Sequence, residues 1–153
     1  MSRPLSLAGP APSRLYVAEP PAHYLARPPV VLDCSALAGL LFQEEWRDLA
    51  AEKIHGRTLH APYLLQTEIA SVALKKHRKG FADLVTDALA EYAELDLNLH
   101  RVEPHDTLAL ALRYQLSAYD AAYLWLAAEL KAPLATFDEK LGRAAQEHLA
   151  ALD

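Results

Sequence analysis

Four acidic side chains, Asp33, Glu68, Asp120 and Asp138, occupy positions where a carboxylate could do chemistry. Asp33 directly follows the apolar run Val30-Val31-Leu32, and Asp138 follows Pro133–Thr136, so each is expected just past a short strand. Open parallel sheets bind ligands beyond the carboxyl ends of their strands, which is where these two would lie. Asp120 opens a stretch that is apolar nearly all round (Ala121, Ala122, Leu124, Trp125, Leu126, Ala127, Ala128), so the acid should share that helix's burial. Glu68 interrupts an apolar stripe of Leu64, Leu65, Ile69 and Val72. A carboxylate there is costly unless it is paired or metal-bound.

Each acid also has a plainer use. Asp33 could form an Asx turn, although Ser35 is available to cap the helix expected over Ala36–Phe42. Asp138 fits a helix N-cap, and Ser117-Ala118-Tyr119-Asp120 fits a capping box. Glu68 could pair with Arg113 or Arg143. Taken together the four acids carry more weight than any one of them. Carboxylates within ~5 Å of each other repel by roughly 3 kcal/mol per pair at an effective dielectric near 20, so a cluster needs a counter-cation or raised pKa values. Oxygen donors without a matching Cys or His set favour Mg2+ or Mn2+ over Zn2+. Such an ion can activate water and stabilise a leaving oxygen in phosphodiester cleavage.

The elements that must position these acids alternate. Beyond the strand at Val30–Leu32, helices are expected over Ala36–Phe42, Glu44–Ile54, Pro62–Lys79 (closed by Gly80), Phe81–Leu95, Pro104–Leu116, Ser117–Lys131 and Asp138–Leu149. Short strands are expected at Thr58–His60, Leu97–Val102 and Pro133–Thr136. Strands alternating with helices imply an α/β fold, a three-layer α/β/α sandwich around a central parallel sheet. Residues 1–29 hold seven of the ten prolines (Pro4, Pro10, Pro12, Pro20, Pro21, Pro28, Pro29) and read as an irregular or extended arm ahead of a domain spanning 30–150.

A chain of 153 residues supports one domain with a real core. A single cysteine, Cys34, excludes an intrachain disulfide and points to a reducing, cytoplasmic setting. No apolar stretch is long enough to span a bilayer, so no membrane association is expected. The net charge of −5 argues against loose, long-range attraction to nucleic acid, though a carboxylate cluster that holds divalent cations accounts for part of the excess.

Three segments, Val31-Leu32-Asp33-Cys34-Ser35-Ala36-Leu37, Ser117-Ala118-Tyr119-Asp120-Ala121-Ala122-Tyr123-Leu124 and Leu134-Ala135-Thr136-Phe137-Asp138-Glu139-Lys140-Leu141, resemble the conserved blocks of PIN domains, most closely those of VapC-type toxins. Glu68, within Leu65-Gln66-Thr67-Glu68-Ile69-Ala70, matches that family's helical glutamate, and the likeness covers about residues 30–150. The resemblance implies a metal-dependent endoribonuclease in which Asp33, Glu68, Asp120 and Asp138 hold one or two Mg2+. Ser35 and Thr136 would be accessory polar groups. It further implies an RNA substrate, a homodimer and a small cognate antitoxin that covers the site. A non-catalytic PIN-like module binding RNA or protein is the alternative. A receiver-type signalling domain would need an acid pair after the first strand, where Asp33 stands alone, and a haloacid-dehalogenase-like phosphatase would need an Asp where Ser35 stands. In similar proteins the first strand begins almost at the N-terminus. The 29 residues ahead of it here are therefore either a partner- or dimer-binding element, or upstream of a true start at Val30 or Val31.

Lys75, Lys76, Arg78 and Lys79 end the Glu68 helix, where they suit the helix dipole and are candidates for RNA phosphate contact. Arg113, Lys140 and Arg143 are weaker candidates of the same kind. His55, His60, His77, His100 and His105 lack metal-ligand spacing and are expected at the surface or in turns, whereas Cys34, Trp46 and Trp125 are expected in the core.

Overall fold

The computed structural model describes residues 14–20, 27–42 and 44–153. Five strands form one sheet in the order β1-β5-β2-β3-β4, namely β1 (Tyr16–Ala18), β2 (Pro29–Leu32), β3 (Thr58–Pro62), β4 (Leu97–His100) and β5 (Leu134–Thr136). The pairings β5–β2, β2–β3 and β3–β4 are parallel and β1–β5 is antiparallel. Helices α1 (Cys34–Leu41), α2 (Arg47–Ile54), α3 (Leu64–Arg78) and α4 (Ala82–Glu94) pack with one another in one layer. Helices α5 (Pro104–Tyr114), α6 (Ala118–Leu130) and α7 (Glu139–Ala150) form the other. The architecture is the expected three-layer sandwich, and the central β2 is buried on both faces, as its apolar run requires.

Four details differ from the expectation. Part of the proline-rich arm joins the sheet, because Tyr16-Val17-Ala18 pairs with Leu134–Thr136 as an antiparallel edge strand. The arm's residues 1–13 and 21–26 lie outside the described residues. Asp33, not Ser35, caps α1. It has the extended backbone (φ −83°, ψ 174°) that an N-cap needs, and its carboxylate accepts from the Ala36 N–H. Pro62 ends β3 rather than opening α3, and the Tyr63 N–H goes to the His100 carbonyl. Glu44 precedes α2 and is buried, so this helix begins only at Arg47.

Trp46 is half-buried and tilts against Phe137, with ring centroids 5.3 Å apart. Gly39 makes that possible, since a Cβ there would stand 1.9 Å from the Trp46 indole nitrogen. Phe137 follows β5, so this contact braces the loop that leads to Asp138.

Candidate active site at the sheet edge

Parallel register places the first pair of polar groups. Leu32 of β2 lies opposite Ala135 of β5, so the next residues, Asp33 and Thr136, emerge side by side. The Thr136 hydroxyl donates to Asp33 Oδ2 and accepts from the Asp138 N–H at 2.9 Å. Ser35 Oγ donates to Asp33 Oδ1 at 2.7 Å and accepts from the Phe137 N–H at 2.9 Å. The two hydroxyls thus tie α1, β5 and the β5–α7 loop to a single carboxylate.

Three donors on a carboxylate ordinarily lower its pKa. Burial outweighs them here and, helped by the charge of Asp120, lifts Asp33 from 3.8 to about 6. Glu68 is also raised, first by burial and further by Asp120, against the hydrogen bond from Tyr123. Burial leads again at Asp120 and Asp138 adds to it, while Ser117 and Lys140 pull the other way. Asp120 is therefore the hub. Its carboxyl is within electrostatic reach of Asp33 after β2, Glu68 in α3 and Asp138 at the head of α7.

Asp138 sits at the periphery of the group. It is exposed and caps α7, accepting from the Leu141 N–H at 2.8 Å, so its capping role is real. The Ser117 hydroxyl accepts from the Asp120 N–H at 3.1 Å, as a capping box requires, and Ser117 also acts on the Asp120 carboxylate. Neither Arg113 nor Arg143 pairs with Glu68. Arg143 bridges to Glu139 and Arg113 lies over the Tyr114 ring.

One neighbour of the acids, Tyr123, was not singled out in the sequence, and a second, Cys34, was expected in the core. Tyr123 Oη donates to Glu68 Oε1 at 2.6 Å, and burial together with Glu68 drives the phenol pKa upward, keeping it a donor. A buried tyrosine hydroxyl needs a partner, and Tyr123 stands one turn after Asp120 on an otherwise apolar helix, which was the available signal. Cys34 is only partly buried and lies beside the acids rather than in the deep core. Burial, Glu68 and Asp33 push its thiol up to about 12, so it is no nucleophile.

These oxygen donors could hold a hard cation. Asp33 is buried and Glu68 and Asp120 partly so, their charges repel one another, and the donors they offer are hard oxygens. Among the described residues, no three of the four acids bring ligand oxygens within 4.8 Å of one another. The group that does meet that spacing, Glu103, His105 and Asp106, is fully exposed. It is explained by helix capping, with Glu103 accepting from the Asp106 N–H at 2.6 Å.

The basic set at the end of α3 divides. Lys75, Arg78 and Lys79 are exposed. Lys76 is not available to RNA, contrary to expectation. Its ammonium is buried, 2.7 Å from the equally buried Glu44 carboxylate and over the Phe42 ring. It continues the buried stripe of Leu65, Ile69 and Ala73.

Residues 30–147 match the family model described as PIN domain. The chain is 32% identical to Ribonuclease VapC3 of Pyrobaculum aerophilum over 119 residues, covering 73% of this chain and 91% of that protein. It is 37% identical to Ribonuclease VapC9 of Mycobacterium tuberculosis over 122 residues, 76% of this chain and 91% of that protein. Against Ribonuclease VapC12 of the same organism the identity is 28% over 124 residues, covering 78% and 92%.

Proposed function

The chain belongs to the PIN-domain family, and on that footing we propose that it is a metal-dependent endoribonuclease, the toxin of a toxin–antitoxin pair. The observation that carries this reading is the convergence on Asp120 of acids from three other elements at the carboxyl edge of the sheet. Asp33, Glu68 and Asp120, with Asp138 at the rim, would hold Mg2+ or Mn2+. When bound, the cation supplies charge for the attacking and leaving oxygens of a phosphodiester. Ser35 and Thr136 hold the Asp33 carboxylate in one orientation, and Tyr123 does the same for Glu68. Lys75, Arg78 and Lys79 would contact substrate phosphates. A cognate antitoxin, a homodimer and a cytoplasmic location belong to the same proposal. Among the described residues no helix is long and apolar enough to cross a membrane.

The direct test is RNA cleavage by the purified protein with Mg2+ or Mn2+ and with EDTA. Cleavage that survives EDTA undiminished would remove the metal from the mechanism. A second readout does not depend on turnover. Asp33 binds a proton more tightly in the folded protein than in the unfolded chain, so in the absence of metal it favours the fold most below its unfolded pKa. That contribution is lost as pH rises to about 6, and for the fully buried group the loss is on the order of 3 kcal/mol. Relative to Asp33→Asn, the metal-free protein should therefore lose thermal stability between about pH 4 and pH 6 and stay level above. Added Mg2+ or Mn2+ should raise Tm at neutral pH and much less in acid, where protons compete. A calorimetric series in which the metal has equal effect at both ends would count against this arrangement.

A further inference from the structure

Tyr119 is 66% exposed, although the helix it begins is otherwise largely buried. Among the described residues it makes no hydrogen bond, ion pair or ring contact. It precedes Tyr123 by one helical turn, so the two side chains share one side of α6. Tyr123 on that side reaches Glu68, so Tyr119 lies one turn nearer the helix start on the side of α6 that faces Glu68, and it directly precedes Asp120 in the chain. Two exposed lysines stand near the acids. Lys140, exposed in the first turn of α7, is close enough to act on the Asp120 carboxyl. Lys75, also exposed, lies seven residues after Glu68 on the same face of α3 and acts on the Cys34 thiol beside Asp33.

We propose that Tyr119 is a substrate-positioning residue that stacks on an unpaired RNA base beside the acid cluster, with Lys140 and Lys75 holding phosphates to either side. The inference rests on the ribonuclease reading above. A protein of net charge −5 has little long-range attraction for a polyanion, so substrate capture depends on local contacts such as these. An exposed ring accepts the face of any base, and lysines position a backbone without reading its sequence, which together suit a single strand. A duplex keeps its bases stacked on each other and offers this ring nothing.

The test uses the full chain and a short randomised single-stranded RNA, with binding read by fluorescence anisotropy and cleavage read separately. Tyr119→Ala should weaken binding by about 5- to 150-fold, the range of one base–aromatic stack, and raise KM more than it lowers kcat. Tyr119→Phe should restore both, and the same strand annealed into a duplex should bind poorly to every variant. Lys140→Ala and Lys75→Ala should each reduce the salt dependence of binding by about one phosphate contact. The inference is overturned if Tyr119→Ala binds and cuts like the wild type, or if it alters only self-association or capture of a protein partner. A wild type that neither binds nor cuts RNA would overturn the ribonuclease reading, and this inference with it.

Discussion

Asp120→Asn should reduce RNA cleavage by about 10²- to 10³-fold, a loss of roughly 3–4 kcal/mol of transition-state stabilisation, without unfolding the protein. The charge of Asp120 reaches Asp33 and Glu68 and it feels that of Asp138, so its removal should weaken the whole group. The Asp120 backbone N–H bonds to Ser117, and asparagine keeps that bond and a polar side chain of the same size beside Ser117. In the absence of metal the substitution also deletes a repulsive charge from a partly buried group, so Tm should hold or rise while activity falls. Thr136→Val makes an informative contrast. The Thr136 hydroxyl bonds Asp33 and the Asp138 N–H and lies 3.4 Å from Ser35 Oγ, and the cost of its loss should be smaller, about 10- to 100-fold. Parallel measurement of cleavage rate and melting temperature separates the cases. An Asp120→Asn protein that cuts RNA at near the wild-type rate would show that the acids do not form the catalytic centre.

The second large effect lies away from the site, at the buried pair Lys76–Glu44. Breaking it from one side, by Lys76→Met or Glu44→Leu alone, should destabilise the fold by about 3–5 kcal/mol, because each change strands a buried charge. Among the described residues Glu44 Oε2 has no hydrogen-bond partner, so that oxygen offers nothing in place of the lost ammonium. Replacing both residues together should recover most of the loss, since an apolar pair needs neither charge solvated. Denaturant unfolding of the two single variants and the double gives the coupling directly. Three similar, small values would mean that the pair contributes little. The same substitutions sort the basic residues of α3, because loss of Lys76 should act on stability whereas loss of Lys75 or Arg78 should act on RNA binding.

Residue type and burial together made the acids legible. A glutamate within an apolar stripe and acids just past strand-like runs are visible without coordinates, and so is the alternation that gives the three layers. Pairing across elements was not visible. Nothing local shows that Tyr123 meets Glu68, because the hydroxyl's partner lies 55 residues away. Asp33 and Ser35 both fit as caps. The choice is made by the backbone, since the residue leaving a strand is already extended while Ser35 is already helical. Lys76 lay on the Leu65–Ile69–Ala73 period, but its charge suggested solvent, and only the buried Glu44 explains it. The strand at Tyr16–Ala18 was hidden by the prolines around it, although tyrosine and valine favour such a conformation.

That strand has a practical consequence. The family match begins at residue 30, so trimming the protein to the matched stretch would discard Tyr16–Ala18. The outer flank of Leu134–Thr136 would then be bare, together with the place where Tyr16 packs against Gly142. Unpaired N–H and C=O groups on such a flank are a template on which another molecule can add, so the shortened protein should aggregate. Thr136 ends that same flank and grips Asp33, so three residues upstream of the matched stretch brace the strand that carries the candidate site.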